Sequence, residues 1–223
     1  MRFCCNFRKN MTNLIIKKAR EYAEELFHGE ATGHDFEHTE RVFQNAKALQ
    51  KQTGGDLFLI SVAAYLHDVD DVKLFKTEGD LPHARAFLNK EGVEDEKIEK
   101  ICQIIHEISF KGKESVKPGT LEGQVVQDAD RLDALGAIGI ARAFAYGGAK
   151  GRKIYDPDIK PRLDMDEKTY RSSEGTTINH FYEKLLLLEG LMNTEEGKRM
   201  AHERTIFMKD YLAEFFLENE GKK

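Results

Sequence analysis

The sequence predicts an all-α protein with a single core, from two regularities. Apolar residues recur at helical spacing in one segment after another, and capping or breaking residues punctuate the intervals between them. No segment alternates polar and apolar residues over the length of a strand, and there is no internal repeat. The expected arrangement is therefore a helical bundle.

The first amphipathic segment carries Leu14, Ile15, Ile16, Ala19, Tyr22, Ala23, Leu26 and Phe27, with Lys17, Lys18, Glu21 and Glu25 on its wet face. Residues 29 to 33 interrupt it. Asp35 is placed to cap a second helix, which points Phe36, Val42, Phe43, Ala46 and Leu49 inward. Asp56 caps the third, whose run Leu57 to Leu66 is apolar almost throughout. A fourth helix is expected to start near Asp80, with Pro82 in its first turn, and to end at Glu91 and Gly92.

From about Glu94, the residues Ile98, Ile101, Cys102, Ile104, Ile105 and Ile108 define a fifth helix. Thr120 caps a sixth segment through Leu135, where Val125, Val126, Ala129 and Leu132 supply the buried face. Asp128, Asp130 and Asp133 lie in that segment, and acids so placed need partners. Gly136 to Gly148 is rich in small residues and reads as a closely packed seventh helix. Thr176 and Thr177 then open an eighth over Ile178, Phe181, Tyr182, Leu185, Leu186 and Leu188. Asn193 and Glu196 form a candidate capping box for a last helix of roughly 35 to 40 Å.

One domain is expected over 14–218, with tails at 1–13 and 219–223. It contains an irregular stretch over 148–175, which is longer than an ordinary connection and is read as a binding loop, a flap or a partly disordered segment.

The formal charge of -5 disfavours a polymeric nucleic-acid binder, which needs a basic face for phosphates, while small anionic substrates remain open. Cys4, Cys5 and Cys102 show no zinc-type spacing and suggest no disulfide framework. No apolar stretch approaches 18 residues and no signal-like segment follows the start, so a cytoplasmic location is expected. Neither a GxxxxGK[ST] phosphate loop nor a GxGxxG fingerprint occurs.

The chemistry begins at His67 and Asp68, where the apolar third helix ends. A carboxylate just past a helix C-terminus meets the negative end of the dipole, and burying it alone is costly. A cation must offset both penalties. Lys73 is the nearest basic side chain downstream, and an ordinary surface His-Asp pair is the plainer reading, but imidazole beside carboxylate also suits a metal ion. His38 and Asp130, each near a helical core position, are candidates to complete two nitrogen and two oxygen ligands.

The ordered set His38, His67-Asp68 and Asp130 resembles the HD-domain superfamily of metal-dependent phosphohydrolases. The segment Gly33-His34-Asp35-Phe36-Glu37-His38-Thr39-Glu40-Arg41-Val42 is similar to the GHDxxHxxRV opening of small bacterial HD proteins, some of which resemble nucleoside triphosphate pyrophosphatases. Ile108 to Gly112, Asp128 to Ala137 and Ser173 to Tyr182 also look like this group. The resemblance implies a single-domain HD helical bundle and one divalent ion, with Mn2+ first and Ni2+, Co2+, Mg2+ or Fe2+ as alternatives. It implies a small nucleotide substrate, cleaved between its α and β phosphates by metal-activated water. A nucleotide monophosphate phosphatase and a non-catalytic metal- or nucleotide-binding protein are the alternatives. Alarmone hydrolases carry HDxxED, whereas His67-Asp68-Val69-Asp70-Asp71 places its last acid one position early, so that activity is not expected.

Within this scheme Asp71 orients the water or accepts its proton, with Asp70 as the rival; capping or solvated roles stay open for both. Arg41, one turn from His38, either holds phosphate or pairs with Asp133. Lys73, Lys76, Lys111, Lys113 and Arg152 are the further phosphate candidates. Phe110 and Tyr155 are candidates to stack on a base, and His34 and His106 to touch substrate. No membrane partner is expected, and both a monomer and a homodimer fit the long last helix.

Overall fold

The computed structural model describes residues 2–29, 35–71, 79–108, 116–163 and 175–223, with the side chains of 2–9 outside the description. The helices are α1 (Arg2–Leu26), α2 (Phe36–Thr53), α3 (Leu57–Leu66), α4 (Pro82–Lys90), α5 (Asp95–Ile108), α6 (Leu121–Asp133), α7 (Gly136–Ala149), α8 (Thr177–Glu183) and α9 (Glu195–Asn219). A 3-10 helix, Leu185–Leu191, lies between α8 and α9. No strand occurs among the described residues, as the helical periodicity predicts. The described residues form two compact units, one up to residue 108 together with 116–127, the other from residue 128 on.

The first unit is built around α3. All of its residues except Leu57 are buried, because α1, α2 and α5 each pack against it. Ile60, Val62, Ala63, Ala64 and Leu66 have no exposed surface. Each such Ile or Leu contributes about 1.5–3 kcal/mol of burial. Asp56 caps α3 by accepting from the Phe58 and Leu59 amides, and Asp35 caps α2 by accepting from the His38 amide at 2.8 Å. Gln127 closes the unit: its Nε2 donates to the Glu107 and Val116 carbonyls, satisfying groups where α5 ends and α6 is approached.

In the second unit α9 packs on α7 and on the 3-10 helix, and α8 packs on α7 and the 3-10 helix. Phe144, Tyr211 and Phe215 form an aromatic cluster around the buried Phe181. Gly147 is required where α7 meets α8, since a Cβ there would sit 2.2 Å from Thr177 Oγ1.

Three local expectations are corrected. The first helix starts at Arg2 rather than near Leu14. The apolar run after Thr177 is two elements, a seven-residue α8 and the 3-10 helix, broken at Lys184 (φ -142). The last helix is capped by Thr194, not Asn193, through its hydroxyl accepting from the Gly197 amide. Within the second unit, the Arg142 guanidinium pairs with Asp133 at 2.7 Å.

Candidate metal centre

Two helices and one turn of the first unit bring together His38, His67 and Asp68, the group of metal-ligating side chains found among the described residues. His38 lies in the first turn of α2, where the Asp35 cap fixes the chain, and it is 1% exposed. His67 follows the last residue of α3 with helical dihedrals (φ -62, ψ -33), which turn its ring back along the helix. Its Nδ1 lies 2.8 Å from the Ala64 carbonyl. A carbonyl only accepts, so Nδ1 carries the proton and, in the neutral ring, Nε2 presents its lone pair. This is how metal-ligating histidines are commonly oriented.

The His67 Nε2 lies 3.3 Å from the His38 Nε2 and 3.3 Å from Asp68 Oδ2, and His38 Nε2 lies 3.6 Å from the same oxygen. Ligand atoms about 2.1 Å from a shared ion, at roughly tetrahedral angles, would be separated by about this much. The donor set fits a divalent ion: two imidazole nitrogens and a carboxylate oxygen converge where the His67 and His38 rings meet edge to face. The side chains are almost wholly withdrawn from water, with Asp68 13% exposed. Asp130, the fourth expected ligand, belongs to the second unit and is half-buried there.

The chain beyond Asp68 is a tight turn in which the Asp71 amide donates to the Asp68 carbonyl at 3.0 Å. Val69 anchors it with no exposed surface. Asp70 turns away from the histidines: its two oxygens accept from the His83 and Ala84 amides at the start of α4. Asp71 and Arg41 are both half-buried.

The remaining predicted residues divide by place. His106 is on the exposed side of α5, where its Nε2 meets Asp80, itself bound to Arg85. Those two partners hold the exposed Asp80 carboxyl below its usual range. In the second unit the Arg152 guanidinium sits 5.5 Å from the centre of the Tyr146 ring, and Tyr155 packs edge-on against Phe215 and Phe216. His34, Lys73, Lys76, Phe110, Lys111 and Lys113 lie outside the described residues. One contributor was missed in the sequence, the Ala64 carbonyl, which carries no signal there. Of the roles left open for Asp70, capping is the one formed: α4 opens on Leu81-Pro82, and leucine has no side-chain acceptor.

Residues 35–135, which contain all four expected ligands, match the HD domain family. The protein YpgQ of Bacillus subtilis is 35% identical over 202 residues, covering 88% of this chain and 89% of YpgQ. Its crystal structure in complex with ADP superposes with a TM-score of 0.72 at 34% identity, covering 90% of this chain and 95% of that one. A crystal structure from Lactobacillus plantarum gives a TM-score of 0.83 at 42% identity over 92% of this chain and 97% of the other. An HD-superfamily hydrolase from Bacillus thuringiensis gives 0.75 at 40% identity over 94% and 98%.

Proposed function

We propose that this chain, which belongs to the HD-domain superfamily of metal-dependent phosphohydrolases, hydrolyses nucleoside or deoxynucleoside triphosphates to the monophosphate and pyrophosphate. The observation that carries the reading is the convergence of His38, His67 and Asp68 on one point with the ligand tautomer of His67 already set. A nucleotide substrate is supported by the ADP complex of YpgQ. Asp130 as a fourth ligand is supported by the family pattern.

A divalent ion in this set would polarise a phosphoryl oxygen and acidify a water. Mn2+ is the proposed ion, as the family resemblance implies; the two imidazoles also suit Ni2+, Co2+ and Fe2+, whereas Mg2+ favours an oxygen shell and is the weakest of the alternatives. The residues of the chain do the rest. Ala64 holds the His67 ring in place, and Asp68 supplies negative charge next to both imidazoles. Water attacks the α phosphorus in line, its proton passes to Asp71, and the bond to the bridging oxygen breaks as pyrophosphate leaves. Arg41 offsets phosphate charge.

The test is turnover of a nucleotide panel with each ion and separation of products. Monophosphate plus pyrophosphate is the expected result; inorganic phosphate would instead make the protein a phosphatase. Absence of turnover with every ion would leave a binding protein. Asp68→Ala should bind no metal and turn nothing over, and normal activity in that variant would rule out the site.

A further inference from the structure

We infer that Asp70 is a positioning residue for the metal centre, acting by clasping the Asp68–Asp71 turn to the start of α4. The inference rests on the reading of His38, His67 and Asp68 as ligands. Three observations on the first unit support it.

The first is that α4 lacks a cap of its own. Its N-cap residue is Leu81, which makes no side-chain cap bond and has φ 51 and ψ 56. Leu81 is the one non-glycine residue with positive φ among those described. The first-turn amides, which have no partner within the helix, must find acceptors elsewhere. Asp70 supplies them from 13 and 14 residues away in sequence: Oδ1 accepts from the His83 amide at 3.0 Å and Oδ2 from the Ala84 amide at 2.9 Å.

The second is the return contact from α4 to the turn. His83 Nδ1 lies 3.1 Å from the Val69 carbonyl and 3.0 Å from Asp70 Oδ1. Both are acceptors when Asp70 is ionised, so Nδ1 is the donor, shared between them. The clasp therefore grips backbone as well as side chain, and it does so at the residue directly after Asp68.

The third is burial. The Asp70 side chain is only 3% exposed, and Val69 has no exposed surface. A two-oxygen hold in a dry place fixes direction as well as distance. Asp68 is followed by a pinned residue on one side and preceded on the other by His67, itself held to Ala64. Without the clasp, the turn loses its tie to α4 and keeps its local bonds, among them the Val69 and Asp71 amides to the Leu66 and Asp68 carbonyls. The carboxylate facing His38 and His67 would then have more freedom. Asp70 thus touches neither ion nor substrate; it sets where Asp68 and Asp71 stand.

The test separates capping a helix from holding the centre. Mn2+ binding is measured by calorimetry, alongside melting temperature, on wild type, Asp70→Ala and Asp70→Ala with Leu81→Asp. The second change gives α4 a capping carboxylate within its own chain. Asp70→Ala is expected to lower the melting temperature by about 2–4 °C. It should also weaken Mn2+ binding about 10- to 100-fold, as loss of a partner behind a ligand does. The Leu81→Asp change is expected to restore melting but not Mn2+ affinity. Recovery of both would make Asp70 a helix cap only and overturn the inference, as would wild-type affinity in Asp70→Ala. Should that variant not fold, Asp70→Asn, which keeps one acceptor, takes its place with the same outcomes. If wild type takes up none of the divalent ions, the metal reading itself fails; if it binds them and the variant binds equally well, only this inference fails.

Discussion

Burial, followed by the positive charges of Lys184 and Arg152, pushes the His180 imidazole down to about 3. The folded value lies below the unfolded one near 6.5, so the unfolded chain takes up a proton that the folded chain refuses. The stability this contributes is complete above about pH 6.5 and is lost as the pH falls from there toward 3. Between pH 7 and 5 the loss amounts to at most about 2 kcal/mol. His180→Gln should show a shallower fall in urea-unfolding free energy over that interval, and parallel curves would refute the assignment. His180 was visible in the sequence only as part of a family segment, since its burial depends on neighbours from other elements. His67 and Asp68 were more legible, because an apolar helix ending in a carboxylate states an electrostatic problem within a single segment. The tautomer of His67 was not, as it depends on the backbone direction at Ala64.

The helix starts show the same division. Asp35, Asp56 and Thr120 were readable as caps because each bonds an amide two or three residues on. The start of α9 was misplaced by one residue because a distant group occupies Asn193. Asp128 Oδ1 accepts from the Asn193 amide and side chain, and Oδ2 accepts from the Thr194 amide at 2.8 Å and hydroxyl at 2.7 Å. That hydroxyl in turn accepts from Gly197, and a Cβ on Gly197 would come 2.4 Å from Asp128 Oδ2. The acid that seemed misplaced in α6 is therefore the anchor of α9. Asp128→Ala leaves buried donors unpaired and should cost about 3–4 kcal/mol in denaturant unfolding. Gly197→Ala should cost about 1–3 kcal/mol through crowding. A loss below about 1 kcal/mol for Asp128→Ala would show that water or neighbouring groups replace its bonds.

For the molecule as a whole, periodicity was enough for the all-helical class, because each helix carries its own apolar stripe. No helix among the described residues is long and apolar enough to cross a membrane. The convergence of His38 on His67 was beyond the sequence, since periodicity orders residues around a helix but does not say which helix lies opposite. That convergence links metal to stability. Three ligand atoms held 3.3–3.6 Å apart exist only in the folded chain, so an ion bound there stabilises the fold by mass action. At Mn2+ 100-fold above its dissociation constant the gain is about 2.7 kcal/mol. For a chain of this size, that corresponds to a rise of roughly 5–11 °C in melting temperature. Scanning calorimetry with and without Mn2+ should show this rise in wild type, its reversal by a chelator, and its absence in Asp68→Ala. Because an ion on the exposed acids of the surface would stabilise both proteins alike, an equal rise in Asp68→Ala would place the ion elsewhere and remove the centre from the mechanism.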